Sequence, residues 1–437
     1  MLKKKLSTII PCFLLLAVIT GYQYNSLKTY YHELHHAPVL EAEELGVKMK
    51  DENQRFSESE QEYRRMLEPS EAEKETELTV DVPKDIKLSA KAALLMDGEN
   101  NRVLYEEHGY DKLPMASTTK IMTCVIALEN ADLDDIVTVS SYAARQPDVQ
   151  LGIRTGEQYY LRDLLYSLML ESHNDCAVAI AEHVGGSVEG FATMMNDKAR
   201  SLDCMNTNFV TPNGLDAEGH YTTARDLAVI AGYAIKNDRF IKITNTASHQ
   251  FKELINGRGH SVSNKNKFLY MMDGAIGVKT GFTGKAGYCF VGAIRRPDRT
   301  LISVVLGCGW PPNKSIKWTD TKKLMTYGID HYEKRQIFQE VQLEPLPVQE
   351  GQKKLEALSL KGNLSLLMRK DETVRIEYEL PEELKAPVQA GEVAGYASYY
   401  INDTLYQKLP IHTTEEIPRI NYRFCLNKIL GLWSGQY

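Results

Sequence analysis

Ser117-Thr-Thr-Lys-Ile-Met-Thr-Cys-Val-Ile-Ala-Leu-Glu-Asn-Ala131 opens with a hydroxyl and an amine three residues apart, then turns almost wholly apolar and small. A helix that is apolar all round lies inside a domain and not on its surface. At helical spacing Ser117 and Lys120 share one face about one turn apart. The stretch therefore predicts a buried helix whose mouth holds a hydroxyl beside an amine. A serine hydroxyl becomes a useful nucleophile when an adjacent base takes its proton, and a partly desolvated lysine can be that base. The plain alternative is an N-cap serine followed by a solvated lysine. The rest of the chain decides between them.

Composition sets the frame. The chain has 437 residues, room for two or three domains, with 43% hydrophobic and 25% charged residues, as in an ordinary globular protein. A net charge of -7 without a basic patch argues against a nucleic-acid partner. Seven cysteines leave at least one unpaired, and the absence of any C-x-x-C argues against a structural zinc site. Cys124 and Cys176 fall in apolar helical stretches and read as small buried hydrophobes. Cys289 and Cys308 fall on neighbouring predicted strands, where a disulfide is one option.

At the N-terminus, Lys3, Lys4 and Lys5 precede an apolar run from Leu6 to Gly21. This is the charge-then-apolar order of an export signal. Residues 1–22 fit either a cleaved signal peptide or a retained signal anchor, and both readings put the rest of the chain outside the cytoplasm. Residues 23–87 are polar and Glu-rich, without a sustained apolar face, and are expected to form a stalk or linker. His32, His35 and His36 in that stretch have metal-capable spacing, but a solvated cluster is the plainer reading.

The first globular domain is expected over residues 88–335. Ala90–Asp97 and Arg102–Glu106 flank the turn-rich Gly98-Glu-Asn-Asn101, a hairpin pattern. Leu161, Leu164, Leu165 and Leu168 follow helical spacing and lead to Glu171-Ser-His-Asn-Asp175, after which a second apolar helix begins at Cys176. Ser172 or Asn174 fits a helix cap there, and a cap does not exclude a catalytic role. Pro212-Asn213-Gly214 is a turn, and Thr223-Ala-Arg-Asp226 opens another helix in the manner of a capping box. Lys279-Thr-Gly281 lies on an extended stretch ahead of the β-prone runs Tyr288–Ile294 and Leu301–Leu306, which read as a hairpin at the heart of a sheet. Thr319–Tyr332 closes the domain as a helix. Residues 340–415 alternate in short segments split by Pro and Gly and read as a small β-sandwich. Over residues 418–437, Tyr422, Cys425, Leu426, Ile429, Leu430 and Trp433 share one side of a helix, suited either to a membrane surface or to docking on the domain itself.

Three short patterns in fixed order now combine. Ser117-Thr-Thr-Lys120, Ser172-His-Asn174 and Lys279-Thr-Gly281 match the S-x-x-K, S-x-N and K-T-G set of penicillin-interacting serine peptidases and β-lactamases. With Met115–Thr123, Asn206–Leu215 and Lys279–Gly287 around them, the chain resembles the low-molecular-weight penicillin-binding D-alanyl-D-alanine carboxypeptidases, closely from Leu88 to Tyr332 and more loosely through Ala386–Gly391. The resemblance implies an α/β (α+β) fold of the β-lactamase/transpeptidase kind, with a central antiparallel sheet flanked by helices and a small C-terminal β-sandwich. It implies a hydrolase that trims peptidoglycan stem peptides at the outer face of the bacterial membrane or in the cell wall, is trapped by β-lactams, and uses no metal or cofactor.

The same resemblance implies roles. Ser117 would be the nucleophile, Lys120 its general base and Ser172 a proton relay to the leaving D-alanine. Asn174 would hold the substrate amide or orient Lys120. Lys279 would keep the site positive, Thr280 would bind the terminal carboxylate, Gly281 would allow close approach, and the N–H groups of Ser117 and Phe282 would form the oxyanion hole. Two departures stand out. His173 occupies a position where Gly is common, which implies tuning and no loss of activity. Lys317 sits where an Arg often assists carboxylate binding, and an ammonium cannot make the two-pronged contact of a guanidinium. Rival readings are a DD-endopeptidase or transpeptidase acting on cross-links, a β-lactamase, and an inactive penicillin-binding module. The one Leu-Asn pair, Leu426-Asn427, lies outside the domain and lacks the Glu of a class A β-lactamase.

Overall fold

The computed structural model describes residues 86–147 and 149–434. The expected signal or anchor (1–22), residues 23–85 of the expected stalk with its three histidines, and Cys12 lie outside the described residues.

The hairpin at Gly98–Asn101 forms, with β1 (Ala92–Asp97) antiparallel to β2 (Val103–Glu107). Asp97 closes its turn by accepting from Glu99 N at 3.0 Å and Asn100 Nδ2 at 2.9 Å. A 3-10 turn, Ala116–Thr119, feeds α1 (Lys120–Asn130). Then come β3 (Ile136–Thr138), β4 (Gln158–Tyr160), α2 (Leu161–Leu170), α3 (Asn174–Gly185), α4 (Val188–Ser201), α5 (Ala224–Ala234) and α6 (Asp238–Thr244). A hairpin of β5 (Ser248–Lys252) and β6 (Gly259–Ser263) precedes β7 (Ala275–Thr283), β8 (Gly287–Arg296), β9 (Arg299–Leu306) and α7 (Ile316–His331). Thr223 caps α5 by accepting from Asp226 N, as its sequence suggests.

The central sheet has the order β2-β1-β9-β8-β7 and is antiparallel throughout. Alternation along β1 explains its two coverings. Ala92, Leu94 and Met96 join a core with the residues of α1, α2, α3 and α5. Ala93 and Leu95 join a second core with Trp318, Leu324 and Met325 of α7. All six residues of β1 are buried, as a continuous apolar run in a doubly covered strand requires. Residues Lys120 to Leu128 of α1 are also buried, so this helix is the central pillar of the larger core. β7 is left as an open edge, and that edge faces the start of α1.

The expected helix start at Ser117 is corrected by the structure. Ser117 lies in the 3-10 turn, and α1 begins at Lys120. Thr118 Oγ1 donates to Met115 O at 2.6 Å and Thr119 Oγ1 to Ala116 O at 2.8 Å, so local side-chain bonds compete with the first α-turn. Cys289 and Cys308 are both free, so the optional disulfide is absent.

The C-terminal part comprises β10 (Glu333–Gln336), β11 (Leu346–Gln349), β12 (Leu355–Glu356), β13 (Leu358–Leu360), β14 (Ser365–Met368), β15 (Val374–Glu379), β16 (Leu384–Lys385), β17 (Val393–Ile401) and β18 (Thr404–Thr413). The strands form three small sheets, β10-β14, β12-β11-β16 and β13-β18-β17-β15, around two apolar clusters centred on Leu366–Tyr399 and on Val348–Ile417. This part is fastened to the first hairpin. Arg102 donates to Leu367 O and pairs with Glu372, and Tyr332 Oη donates to Leu104 O at 2.6 Å. The last described element is α8 (Tyr422–Ser434), none of whose residues is buried. Among the described residues no helix is long and apolar enough to cross a membrane.

Candidate active site

The 3-10 turn presents Ser117 and Lys120 together. In such a turn residues i and i+3 eclipse, and Lys120 Nζ stands 3.0 Å from Ser117 Oγ. Ser117 caps nothing, since the N-cap of α1 is Thr119, which makes no side-chain cap bond. The Ser117 hydroxyl is half-buried and lies 3.5 Å from Asn213 O. Gly214 allows this approach: it has φ +82°, and a Cβ there would meet Ala116 O at 2.1 Å.

Lys120 is fully buried, and its ammonium is held by three oxygens. They are Ser117 Oγ at 3.0 Å, Asn174 Oδ1 at 2.8 Å and the carbonyl of Asn213. Burial holds the Lys120 ammonium well below the usual lysine range, and the nearby charge of Lys279 pushes it the same way. An amine so destabilised as a cation gives up its proton readily, which is what a base at neutral pH requires.

The S-x-N turn closes one side. Asn174 Nδ2 donates to Pro147 O at 3.1 Å while its Oδ1 accepts a hydrogen bond from Lys120 Nζ, so the amide orientation is fixed at both ends. The N-cap of α3 is His173, and it makes no side-chain cap bond; neither Ser172 nor Asn174 is spent as a cap. Ser172 has φ +71°, in the left-handed region, and its buried Oγ has no hydrogen-bond partner. His173 is turned away from the cleft, with Nδ1 2.6 Å from Ser167 Oγ.

β7 closes the other side. A Cβ at Gly281 would lie 3.0 Å from Ser117 N and 3.1 Å from Met115 O, so only glycine lets the strand come this close to the Ser117 turn. Tyr288, opposite Phe282, spends its N–H on Gly309 O and its C=O on Cys308 N, both on the β9 side. Phe282 is therefore a non-hydrogen-bonded pair partner, and its own N–H and C=O point off the open edge of the sheet, as do those of Thr280. Lys279 is 2% exposed; its Nζ donates to Thr280 O at 2.9 Å, and burial pulls its ammonium down to about 7. The Phe282 ring is exposed and leans on Tyr288, centroids 4.6 Å apart.

Lys317 spends its ammonium on other partners. Its ammonium lies 4.5 Å from the Tyr288 ring and 4.8 Å from the Trp318 ring and donates to Lys314 O at 2.6 Å. It stands behind the Phe282–Tyr288 pair, where burial lowers it to about 8.

Several residues of the site are absent from the sequence-based reading. Asn213 was legible only as a turn, yet its carbonyl holds Lys120 and its Nδ2 donates to Gln146 Oε1 at 3.2 Å. Asp175 accepts from Leu151, Gly152 and Ile153 N–H at 3.1, 2.8 and 3.2 Å and so pins the strap that carries Gln146 and Pro147. His220 Nδ1 accepts from Val210 N at 3.0 Å, which leaves Nε2–H to donate to Thr119 Oγ1 at 2.9 Å beneath the Ser117 turn. A Gly after Asn213 and an Asp after Asn174 were the available signals; neither states which backbone it will meet.

Comparison with known proteins agrees with this geometry. The sequence profile of the D-alanyl-D-alanine carboxypeptidase family (peptidase S11) matches residues 76–309, and that of the penicillin-binding protein 5 C-terminal domain matches residues 332–419. D-alanyl-D-alanine carboxypeptidase DacF of Bacillus subtilis is 30% identical over 354 residues, covering 79% of this chain and 90% of the relative. DacC of Escherichia coli is 31% identical over 357 residues, covering 78% and 86%. Among solved structures, penicillin binding protein 5 from Haemophilus influenzae superposes with a TM-score of 0.67 at 26% identity, covering 77% of this chain and all of that one (100%). A point mutant of the Streptomyces K15 DD-transpeptidase superposes with a TM-score of 0.53 at 32% identity, covering 56% and 99%. With its serine, its buried lysine and its edge strand arranged in one cleft, the chain belongs to the D-alanyl-D-alanine carboxypeptidase family.

Proposed function

We propose that this protein is a serine-type carboxypeptidase that removes the terminal D-alanine from peptidoglycan stem pentapeptides. The observation that carries the reading is the buried Lys120 ammonium at 3.0 Å from Ser117 Oγ. Ser117 Oγ attacks the carbonyl carbon between the two D-alanines, and its proton passes to the unprotonated Lys120 Nζ. The oxyanion is met by the N–H of Ser117 and by that of Phe282, which points off the edge of β7. When the C–N bond breaks, the leaving amine takes a proton, with Ser172 as the relay; its unbonded hydroxyl is free to serve once substrate enters. Water then hydrolyses the acyl-enzyme. Thr280 and Lys279 receive the terminal carboxylate, and Lys317, over the Tyr288 ring, adds positive field. Asn174 fixes Lys120 and offers its surroundings to the substrate amide. β-Lactams, which mimic the dipeptide, acylate Ser117 and stay.

The reaction belongs outside the cytoplasm, where the basic-then-apolar start of the sequence directs the chain. Helix α8, which buries no residue and exposes apolar Leu426, Ile429, Leu430 and Trp433, suits a membrane surface. A second reading, action on cross-links, is favoured by one observation: the Streptomyces K15 protein is named a carboxypeptidase in one comparison and a DD-transpeptidase in the other.

The test is incubation with a stem pentapeptide ending in D-Ala-D-Ala, followed by mass. Loss of one alanine, blocked by penicillin, supports the carboxypeptidase. No loss, with a penicillin adduct on Ser117, moves the activity to cross-links. Neither event overturns both.

A further inference from the structure

Beneath the S-x-N turn lies a polar chain that the reaction does not use. Cys176 Sγ donates to Ser167 Oγ at 3.2 Å, and Ser167 Oγ lies 2.6 Å from His173 Nδ1. His173 Nε2 lies 3.4 Å from Glu171 Oε2. Glu171 Oε1 in turn accepts from Ser263 N and from Lys265 Nζ, both at 2.9 Å. His173 is only 4% exposed, and Ser167 and Cys176 are fully buried. With Cys176 as donor, the Ser167 hydroxyl proton goes to Nδ1, and the neutral ring keeps its own proton on Nε2, facing the Glu171 carboxylate. Every member of the chain is then satisfied in one direction.

What this chain supports is the turn itself. Ser172 sits at φ +71°, a conformation that a non-glycine residue holds only when its surroundings over-determine it. Its own hydroxyl gives no help, because it has no partner. The constraint must come from the flanking residues. Asn174 is tied to Lys120, Pro147 O and, through its N–H, Val149 O at 2.7 Å. Glu171 is tied to β6 and Lys265. His173 is the link between them, anchored to α2 through Ser167, whose hydroxyl also accepts from Cys176 of α3.

We infer that His173 is a positioning residue: its neutral imidazole, locked between Ser167 and Glu171, holds Ser172 and Asn174 at the distance from Lys120 that the acylation step needs. The inference rests on the reading of Ser117 and Lys120 given above. Burial lowers the affinity of the ring for a second proton, which agrees with a neutral link.

The experiment compares wild type, His173→Leu and His173→Asn. Leu fills the space without bonding Ser167; Asn keeps an acceptor near Nδ1 and cannot become charged. Each is assayed for penicillin acylation of Ser117, for kcat and KM on a D-Ala-D-Ala peptide, and for thermal midpoint. Misplacement of reacting groups by about 1 Å costs on the order of 10²-fold in rate. The expected result is that His173→Leu loses about tenfold to 10²-fold in acylation rate and kcat, with KM nearly unchanged, while His173→Asn recovers most of it. A folded His173→Leu with wild-type acylation overturns the inference, and so does a His173→Asn as slow as His173→Leu. A wild type that neither acylates nor hydrolyses overturns the functional reading instead, and so keeps the two failures apart.

Discussion

Lys120 Nζ stands 3.0 Å from Ser117 Oγ inside a wall of protein, so the proposed base and nucleophile are paired before any substrate arrives. The base works only without its proton, and burial together with the Lys279 charge lowers the pH at which that proton leaves. Acylation by penicillin should therefore rise with pH on the acid side. It should fall above about 7, where Lys279 gives up the charge that would meet the substrate carboxylate. The bell is read from kcat/KM against pH. Ser117→Ala removes acylation altogether and leaves the thermal midpoint in place. A variant that still forms the adduct would assign the nucleophile elsewhere.

Lys279 also links pH to stability. Its proton leaves near pH 7 in the fold and near 10.5 in the unfolded chain. Between those values the unfolded chain binds more protons, so stability rises as the pH climbs through the window. Lys279→Met deletes the buried charge. It should raise stability at pH 7 by on the order of 1 kcal/mol, flatten the pH dependence and abolish peptidase activity. Calorimetry at pH 7 and 9.5 checks the slope; an equal slope in both proteins contradicts it.

The Asp175 carboxylate collects three backbone N–H groups of the strap at Leu151–Ile153. Hydrogen bonds to a charged acceptor contribute about 1.5–3 kcal/mol each at most, and they share one anchor here. Asp175→Ala should cost about 3 kcal/mol of stability and speed hydrogen exchange at Leu151, Gly152 and Ile153. It should also slow acylation, because Pro147 and Gln146 ride on that strap and orient Asn174 and Asn213. Unchanged exchange at those amides would show the strap to be held from elsewhere.

How much of this was legible in the sequence depends on what kind of contact carries it. The apolar run of α1, the hairpin at Gly98–Asn101 and the β8–β9 pair are local patterns, and each forms where its periodicity says. Ser117 and Lys120 are three residues apart, so their meeting is also local. The misread helix start is local as well: the side-chain bonds of Thr118 and Thr119 turn the expected α-start into a 3-10 turn, which apolar periodicity does not register. The contributions of Asn213, Asp175 and His220 were not legible, because each meets its partner at the site across 22 to 101 residues of sequence. Asn213 acts there through its carbonyl, and a backbone carbonyl carries no residue-type signal. The place of Lys317 depends on which way one side chain turns between two aromatic rings, and helical spacing says nothing of that.

Gly214 tests the close approach beneath Ser117. Its φ of +82° disfavours any side chain, and a Cβ would stand 2.1 Å from Ala116 O, a backbone atom that cannot swing aside. Gly214→Ala should destabilise by more than about 2 kcal/mol and, in whatever fraction folds, move Asn213 O away from Lys120. The penicillin acylation rate per folded molecule should drop with it. Gly257→Ala, at φ +72° with nothing near the added methyl, is the control: it shares the backbone strain without the clash and leaves acylation unchanged.

Helix α8 exposes Trp433 at 91% and Leu432 at 65%, with Ile429 and Leu430 more than half exposed, and buries no residue of its own. An apolar face left in water over thirteen residues costs free energy that a lipid interface returns. Arg423 and Lys428 on the same helix add attraction to anionic headgroups. In protein lacking residues 1–22, vesicles with anionic lipid should therefore bind the chain and shift Trp433 emission to the blue. Replacing Leu430 and Trp433 together by Glu removes two apolar anchors, each contributing about 1.5–3 kcal/mol, and should weaken binding by at least about 10²-fold. Hydrolysis of a soluble peptide should not change, because no residue of α8 touches the cleft. Binding that survives the double substitution would mean that another surface meets the lipid, and binding lost together with peptide hydrolysis would mean that the helix supports the fold.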